Sequence, residues 1–279
     1  MANVAFIGTG LLGSAMVEGM LRRGDAVTVW NRTASKANAL ETFGARVASS
    51  PATAVAGAAR VHLTLSDDAA VDGMLEQIVG ALPPDAVVVD HTTTAPAGTI
   101  ARYAGMARRR VRFLHAPVFM SPDMARHAQG LLMSSGPEAE FNAVQEPLRQ
   151  MTGEAWYLGD DPGRAASYKL FGNSMLLVIT AGLADVFAMA KNLGLAPAEA
   201  IEVFSKFQAG GAIKFRGEKM ARRDLTATFE LTMARKDIRL MIEAAGQEPL
   251  VVLPSLARRM DDAIAAGHGS KDLGAIMLG

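Results

Sequence analysis

Short β-branched runs alternate with alanine-rich stretches through the first half of the chain. Residues 4–7, 27–30, 61–65 and 87–90 read as strands. Between them, residues 11–23, 34–43, 51–58 and 69–82 read as helices. Strands alternating with helices predict a parallel sheet covered on both faces and joined by right-handed crossovers. Further strands at 113–115, 131–134 and 156–158 carry that sheet to about residue 160. The pattern then changes. Asp160-Asp161-Pro162-Gly163 offers an N-cap aspartate followed by proline at the first helical position. A long helix is expected from there to Asn192, with Lys191 in its last turn and Gly194 just past its end. The remainder reads as helical, punctuated at Pro197, Gly210-Gly211, Gly246, Pro249 and Gly267.

Gly8-Thr9-Gly10-Leu11-Leu12-Gly13 sits between the first strand and the first helix, which is the setting a dinucleotide-binding turn requires. Gly8 makes the tight turn, Gly10 lets backbone approach a pyrophosphate, and Gly13 lets helix and strand pack closely. The helix start then presents unpaired N–H groups and a positive dipole end to the phosphates. The expected fold is therefore α/β: an N-terminal Rossmann, doubly wound parallel sheet over residues 1–160. An all-helical domain over 161–279 follows, joined to it by one long interdomain helix. At the end of the second strand an NAD enzyme commonly carries Asp or Glu for the ribose 2′-hydroxyl. Here stand Asn31-Arg32-Thr33, with Lys36 one turn on. Arginine pairs with a 2′-phosphate that a carboxylate would repel. The expected cofactor is NADP(H) rather than NAD(H), with Leu65 and Ser66 also beside it.

Composition narrows the alternatives. The chain has 279 residues, half of them hydrophobic, enough for a sizeable core. Its 28 basic and 28 acidic residues balance and aromatics are few, so the basic stripe of a nucleic-acid binder is missing. Without cysteine there is neither a disulfide framework nor a thiolate metal site. The five histidines (62, 91, 115, 127 and 268) are expected to form no i, i+4 pair with a partnering carboxylate, and no metal is expected. The N-terminus runs directly into the first strand, so no signal peptide and a cytoplasmic location are expected. The longest apolar stretch, residues 174–184, is too short for a bilayer and ends at Asp185; it reads as a buried helix of a soluble protein.

Lys169 and Asn173 are four residues apart, on one face of the long helix. A lysine desolvated in a cleft has its pKa lowered and can exchange a proton with an alcohol or carbonyl oxygen. Five segments stand in order along the whole chain: the glycine turn, Asp90-His91-Thr92-Thr93-Thr94-Ala95-Pro96, Ala116-Pro117-Val118, Gly163…Lys169…Asn173, and Lys236-Asp237. On these the chain resembles the β-hydroxyacid dehydrogenases, which include 3-hydroxyisobutyrate dehydrogenases and glyoxylate or succinic-semialdehyde reductases. The resemblance implies transfer of a hydride between NADP(H) and a small β-hydroxy acid, aldehyde or keto acid. It makes Lys169 the general acid/base, Asn173 the residue positioning lysine and substrate, and Thr93 a neighbour of nicotinamide and substrate. It brings Lys236 toward the cofactor from the helical domain.

One departure stands out. The family's loop usually continues Ala-Pro-Val with Ser-Gly-Gly, which holds a substrate carboxylate. Here it continues Phe119-Met120-Ser121-Pro122-Asp123, two residues longer to Gly130 and more apolar. These three residues are expected at the substrate. A similar group, the imine reductases, shares the architecture and the Asn-Arg-Thr segment, but generally has aspartate or tyrosine in place of the lysine. Tyr168 is adjacent to Lys169 and about 100° around the helix, so it does not substitute for it. A non-enzymatic NADP reader would lack the acid/base, and Lys169 argues against that. From the apolar segments of the helical domain and the chain's 16 methionines, a homodimer through that domain is expected.

Overall fold

The structure, a computed structural model, describes residues 3–207 and 209–278. The chain divides into two compact units, Met1–Asn173 and Ser174–Gly279. The first unit opens with β1 (Asn3–Ile7), α1 (Leu11–Arg22), β2 (Ala26–Trp30), α2 (Ala34–Asn38), β3 (Arg46–Val47) and α3 (Pro51–Val55). It continues through β4 (Arg60–Leu63), α4 (Asp68–Ile78), β5 (Val87–Asp90), α5 (Pro96–Arg108) and β6 (Arg112–His115). These six strands form one parallel sheet in the order β3-β2-β1-β4-β5-β6. Alternation along the strands feeds two cores. Val4, Phe6, Val27, Val29 and Val89 face one side. Ala5, Ile7, Val61, Leu63 and Val88 face the other. Because both faces are buried, the strands read as nearly continuous apolar runs. The order reverses between β1 and β4, and ligands of such sheets bind beyond the strand ends at that point.

The sheet does not extend to residue 160 as its pattern suggested. β7 (Val118–Phe119), β8 (Leu131–Ser134) and β9 (Glu154–Tyr157) form a separate three-stranded sheet, with α6 (Pro122–Arg126) and α7 (Glu138–Thr152) between them. β7 runs antiparallel to β8, and β8 parallel to β9. Pro117, which has no N–H to give a ladder, marks the corner where the chain leaves the large sheet. β3 and β7, two residues each, are too short for any periodic signal. The expected helix over 34–43 tightens after Asn38 into a 3₁₀ turn, Glu41–Phe43, which seats Leu40 in the core and ends at Gly44 with φ +97°.

α8 (Arg164–Asn192) runs from the first unit into the second. Gly194, at φ +73°, follows its end as expected. α9 (Pro197–Lys206), α10 (Gly210–Ala221), α11 (Leu231–Ala245) and α12 (Leu253–Ala263) complete the second unit with a closing 3₁₀ segment, Leu273–Leu278. Leu231, Ala234, Ile238, Ala257, Met260 and Ala275 form its core. Two carboxylates organise it. Asp185 accepts the backbone N–H groups of Val251, Val252 and Leu253, the start of α12. Asp272 accepts those of Thr228, Phe229 and Gly274 and the Thr228 hydroxyl. Against the cost of burial, these donors hold its carboxyl well below the usual range.

The expectation of a buried apolar helix fails. Leu176, Leu177 and Val178 are 59%, 69% and 55% exposed within the single chain, and α9 and α10 bury no residue. α8 as a whole is by length and composition apolar enough to cross a membrane, although 174–184 alone falls short.

Candidate active site

The glycine turn is built as its spacing predicts. Gly8 has φ +95°, and a Cβ there would overlap the Thr64 carbonyl oxygen. A Cβ on Gly13 would overlap the Gly8 carbonyl oxygen, so these two glycines serve the packing of turn, helix and β4. Gly10 differs: a Cβ on it would meet nothing within 4 Å. It forms the N-cap of α1 without any side-chain cap, which leaves the first amides of the helix open. The Thr9 hydroxyl beside it is buried without a partner. A phosphate fits this cradle, because it needs donors at a helix start and close backbone approach.

A cleft of about 630 Å³ extends from this turn past Trp30, Arg32, Lys36, Leu65 and Ser66 to Gln77. The charged side chains lining it are Arg32 and Lys36, with no carboxylate among them. Asn31 serves the turn itself: its Oδ1 accepts the Thr9 N–H at 3.1 Å and its Nδ2 donates to the Thr33 carbonyl at 3.0 Å. Arg32, Thr33 and Lys36 stand exposed around it. This end of the cleft suits an anionic group on the ribose. Sharing Gly10, Thr64 and Leu65, a second hollow of about 260 Å³ continues past Leu11, Leu12 and Gly13 to His91, Thr92 and Thr93. Thr93 is exposed at the end of β5, while its neighbours Thr92 and Thr94 are buried. The Thr92 hydroxyl accepts the Leu65 N–H. The predicted cofactor residues of the first unit thus line one continuous path. A separate cleft of about 490 Å³ beside Ala104, Val111 and Pro137 has neither a glycine turn nor an open helix start.

Lys169 is half-buried on the first turns of α8. Its Nζ donates to the Val118 carbonyl oxygen at 2.7 Å and lies 4.0 Å from the centre of the Phe119 ring. Desolvation lowers its pKa. Gly172, one turn further on the same side, is why the ring fits: a Cβ there would overlap it. Asn173 follows in the same helix, four residues from the lysine. Phe119 and Met120 are partly buried. Ser121 is the N-cap of α6 and accepts the Met124 N–H, so its oxygen is already engaged. Tyr168 packs edge-on to Trp156 and beside Phe171, a different set of contacts from the lysine's. Lys236 stands on α11 in the second unit, its Nζ 2.7 Å from Asp237.

Several features escape sequence reasoning. The Val118 carbonyl and Gly172 matter only because β7 meets α8. Asp123 on α6 and His127, the residue just past its end, do form an exposed i, i+4 pair at 3.7 Å, contrary to the expectation that the histidines form no such pair with a carboxylate. Among the described residues no group of three potential metal ligands occurs. The largest omission is a buried cluster on the large sheet. Arg60 Nε donates to His62 Nε2 at 2.8 Å, His62 Nδ1 meets His91 Nε2 at 2.8 Å, and His91 Nδ1 meets the Ala116 carbonyl at 2.7 Å. Burial holds His62 well below the usual histidine range and brings His91 down to about 4. Arg60 and His62 share a strand face by their spacing, but nothing local pairs His62 with His91.

Comparison with known proteins agrees with this geometry. Residues 3–159 match the NAD binding domain of 6-phosphogluconate dehydrogenase, and residues 163–278 match the NAD-binding family of NADP-dependent 3-hydroxyisobutyrate dehydrogenase. Glyoxylate/succinic semialdehyde reductase 1 of Arabidopsis thaliana is 27% identical over 99% of this chain and 97% of its own length. The 3-sulfolactaldehyde reductase of Escherichia coli is 28% identical over 99% and 95%. A reductive aminase from Aspergillus terreus, solved with NADPH and ethyl-5-oxohexanoate, is 26% identical, covering 99% of this chain and 98% of that one, with a TM-score of 0.87. By its glycine turn, its sheet order and these matches, the chain belongs to the β-hydroxyacid dehydrogenase family and is an NAD(P)-dependent oxidoreductase of the 3-hydroxyisobutyrate dehydrogenase type.

Proposed function

We propose that the protein reduces a small aldehyde or ketone with NADPH, Lys169 acting as the general acid. The observation that carries this reading is the state of Lys169: half-buried, donating to the Val118 carbonyl and seated over the Phe119 ring. Bound at the glycine turn, NADPH supplies the hydride for the carbonyl carbon. The open amides of α1 hold its pyrophosphate and Arg32 with Lys36 pair with the 2′-phosphate. Lys169 gives its proton to the oxygen that gains charge. Its lowered pKa eases that donation, and the Val118 carbonyl keeps the ammonium aimed. Asn173 positions substrate beside the lysine, and Thr93 offers its hydroxyl from the end of β5. Phe119 and Met120 make the substrate end apolar, which favours substrates with little charge over keto acids.

The test is oxidation of NADPH and NADH against small aldehydes, keto acids and cyclic imines, with Lys169→Ala alongside. A loss of ~10²–10⁴-fold in carbonyl turnover is expected of a missing general acid. The reductive aminase fold match favours a second reading, imine reduction; turnover of imines alone, unaffected by the substitution, would establish it.

The same proposal includes a homodimer through the helical region. Leucine, valine and isoleucine side chains are exposed on α8, and further apolar side chains are exposed on α9 and α10, among them Ile201, Val203, Phe204 and Phe215. Apolar area on this scale is covered in water by a partner, and a second copy offers the matching surface. Light scattering is expected to give twice the chain mass; an active monomer, or recovery of the protein with membranes, refutes it.

A further inference from the structure

We propose that His91, oriented by His62 and Arg60, is a positioning residue for Lys169 and acts through the chain corner Ala116-Pro117-Val118. The proposal rests on the reading of Lys169 as the proton donor.

The direction of the hydrogen-bond chain follows from its first member. Arginine has no acceptor, so Arg60 Nε donates and His62 Nε2 must be unprotonated. A neutral His62 then carries its proton on Nδ1 and gives it to His91 Nε2. His91 in turn carries its proton on Nδ1 and donates to the Ala116 carbonyl, which can only accept. Both rings are therefore neutral and each tautomer is determined. The charged and titratable groups around the pair are Arg60 on β4, Asp90 on β5 and His115 on β6. Phe6 stacks on His62 with ring centres 5.6 Å apart, and the His62 and His91 rings lie nearly coplanar, 9° between planes and 5.1 Å between centres, as the bond joining them requires.

The end of this chain lies where the backbone turns from the large sheet to the small one. The Ala116 N–H is bound by the Asp90 carbonyl and the Ala116 carbonyl by His91. Two residues on, the Val118 carbonyl accepts from Lys169, and the next side chain is the ring beneath that lysine. Both contacts of the Lys169 ammonium thus depend on a segment whose starting point His91 secures. His91 also borders the hollow beside Thr92 and Thr93, on the same side of the sheet ends. Removing the Nδ1 donor leaves the Ala116 carbonyl without its side-chain partner. The bonds of Ala116 N–H to Asp90 and of Met133 N–H to Pro117 still hold the corner, which shifts against them and weakens the Val118 bond that favours the charged lysine.

The experiment uses nuclear magnetic resonance on the full chain. With ¹⁵N-labelled histidine at pH 7, His62 and His91 are expected as neutral rings protonated on Nδ1; a proton on Nε2 of either one overturns the proposal. With labelled lysine, the Lys169 ammonium is titrated in the wild type, His91→Asn and His91→Leu. The asparagine amide takes the place of Nδ1 and is expected to leave the titration where it was. In the leucine variant it is expected to fall by about one unit, the size of one lost hydrogen bond. An unmoved Lys169 in His91→Leu overturns the proposal. Should that variant not fold, His91→Gln, whose amide mimics the other ring nitrogen, carries the same expectation. Neither readout needs turnover. Carbonyl reduction surviving in Lys169→Ala would therefore remove Lys169 as the proton donor, and an unmoved lysine would remove the positioning role of His91 alone.

Discussion

Lowering the pH from 7 to 5 offers a proton that the folded chain refuses at His91 and the unfolded chain accepts. In the unfolded state the ring has the ordinary value of 6.5; in the fold, burial brings it to about 4. The neutral ring therefore contributes its full stability above pH 6.5. That stability is lost as pH falls from 6.5 toward 4, at about 1.4 kcal/mol per unit. Between pH 7 and 5 this amounts to about 2 kcal/mol from His91, and His62, displaced in the same direction, adds to it. Urea unfolding of the wild type and His91→Asn at both pH values isolates the contribution, because every other group titrates in both proteins. The wild type is expected to lose about 2 kcal/mol more than the variant over this interval. Equal losses would show that His91 takes up its proton in the fold without penalty, and would refute the account of a sealed, neutral histidine pair.

Other perturbations reach other parts of the molecule. Arg32→Glu places a carboxylate in a cleft lined by cations; NADPH binding by titration calorimetry is expected to weaken by about 1.5–3 kcal/mol, with NADH binding unchanged or improved. Asp185→Ala leaves three N–H groups at the start of α12 without their acceptor, and a loss of about 3 kcal/mol is expected in urea unfolding, recovered only in part by Asp185→Asn, which keeps one accepting oxygen of the two. Gly172→Ala drives the Phe119 ring from its place under Lys169; reductase activity is expected to fall about tenfold while NADPH affinity holds.

What was legible from sequence shares one property: the interacting residues lie within a few positions of each other. The turn from Gly8 to Gly13 needs only a strand before it and a helix after it, and it formed as read. Lys169 and Asn173 share a helix face because four residues make about one turn. Apolar runs such as Val4 to Ile7, alternating with helices, announced a sheet buried on both sides, and the two cores receive those side chains in turn.

Tertiary structure decided what depends on residues distant in the chain. That Phe119 lies under Lys169 follows from the docking of β7 against α8, and Gly172 acquires its meaning only there. His62 and His91, 29 positions apart, meet because β4 and β5 pair side by side. The branching of the chain into a second sheet at Pro117 had no local sign beyond one proline. The apolar length of α8 was visible in the sequence, but its exposure in the single chain was not. Hydrophobic pattern records how strongly a segment avoids water, whereas the packing of whole elements decides what covers it.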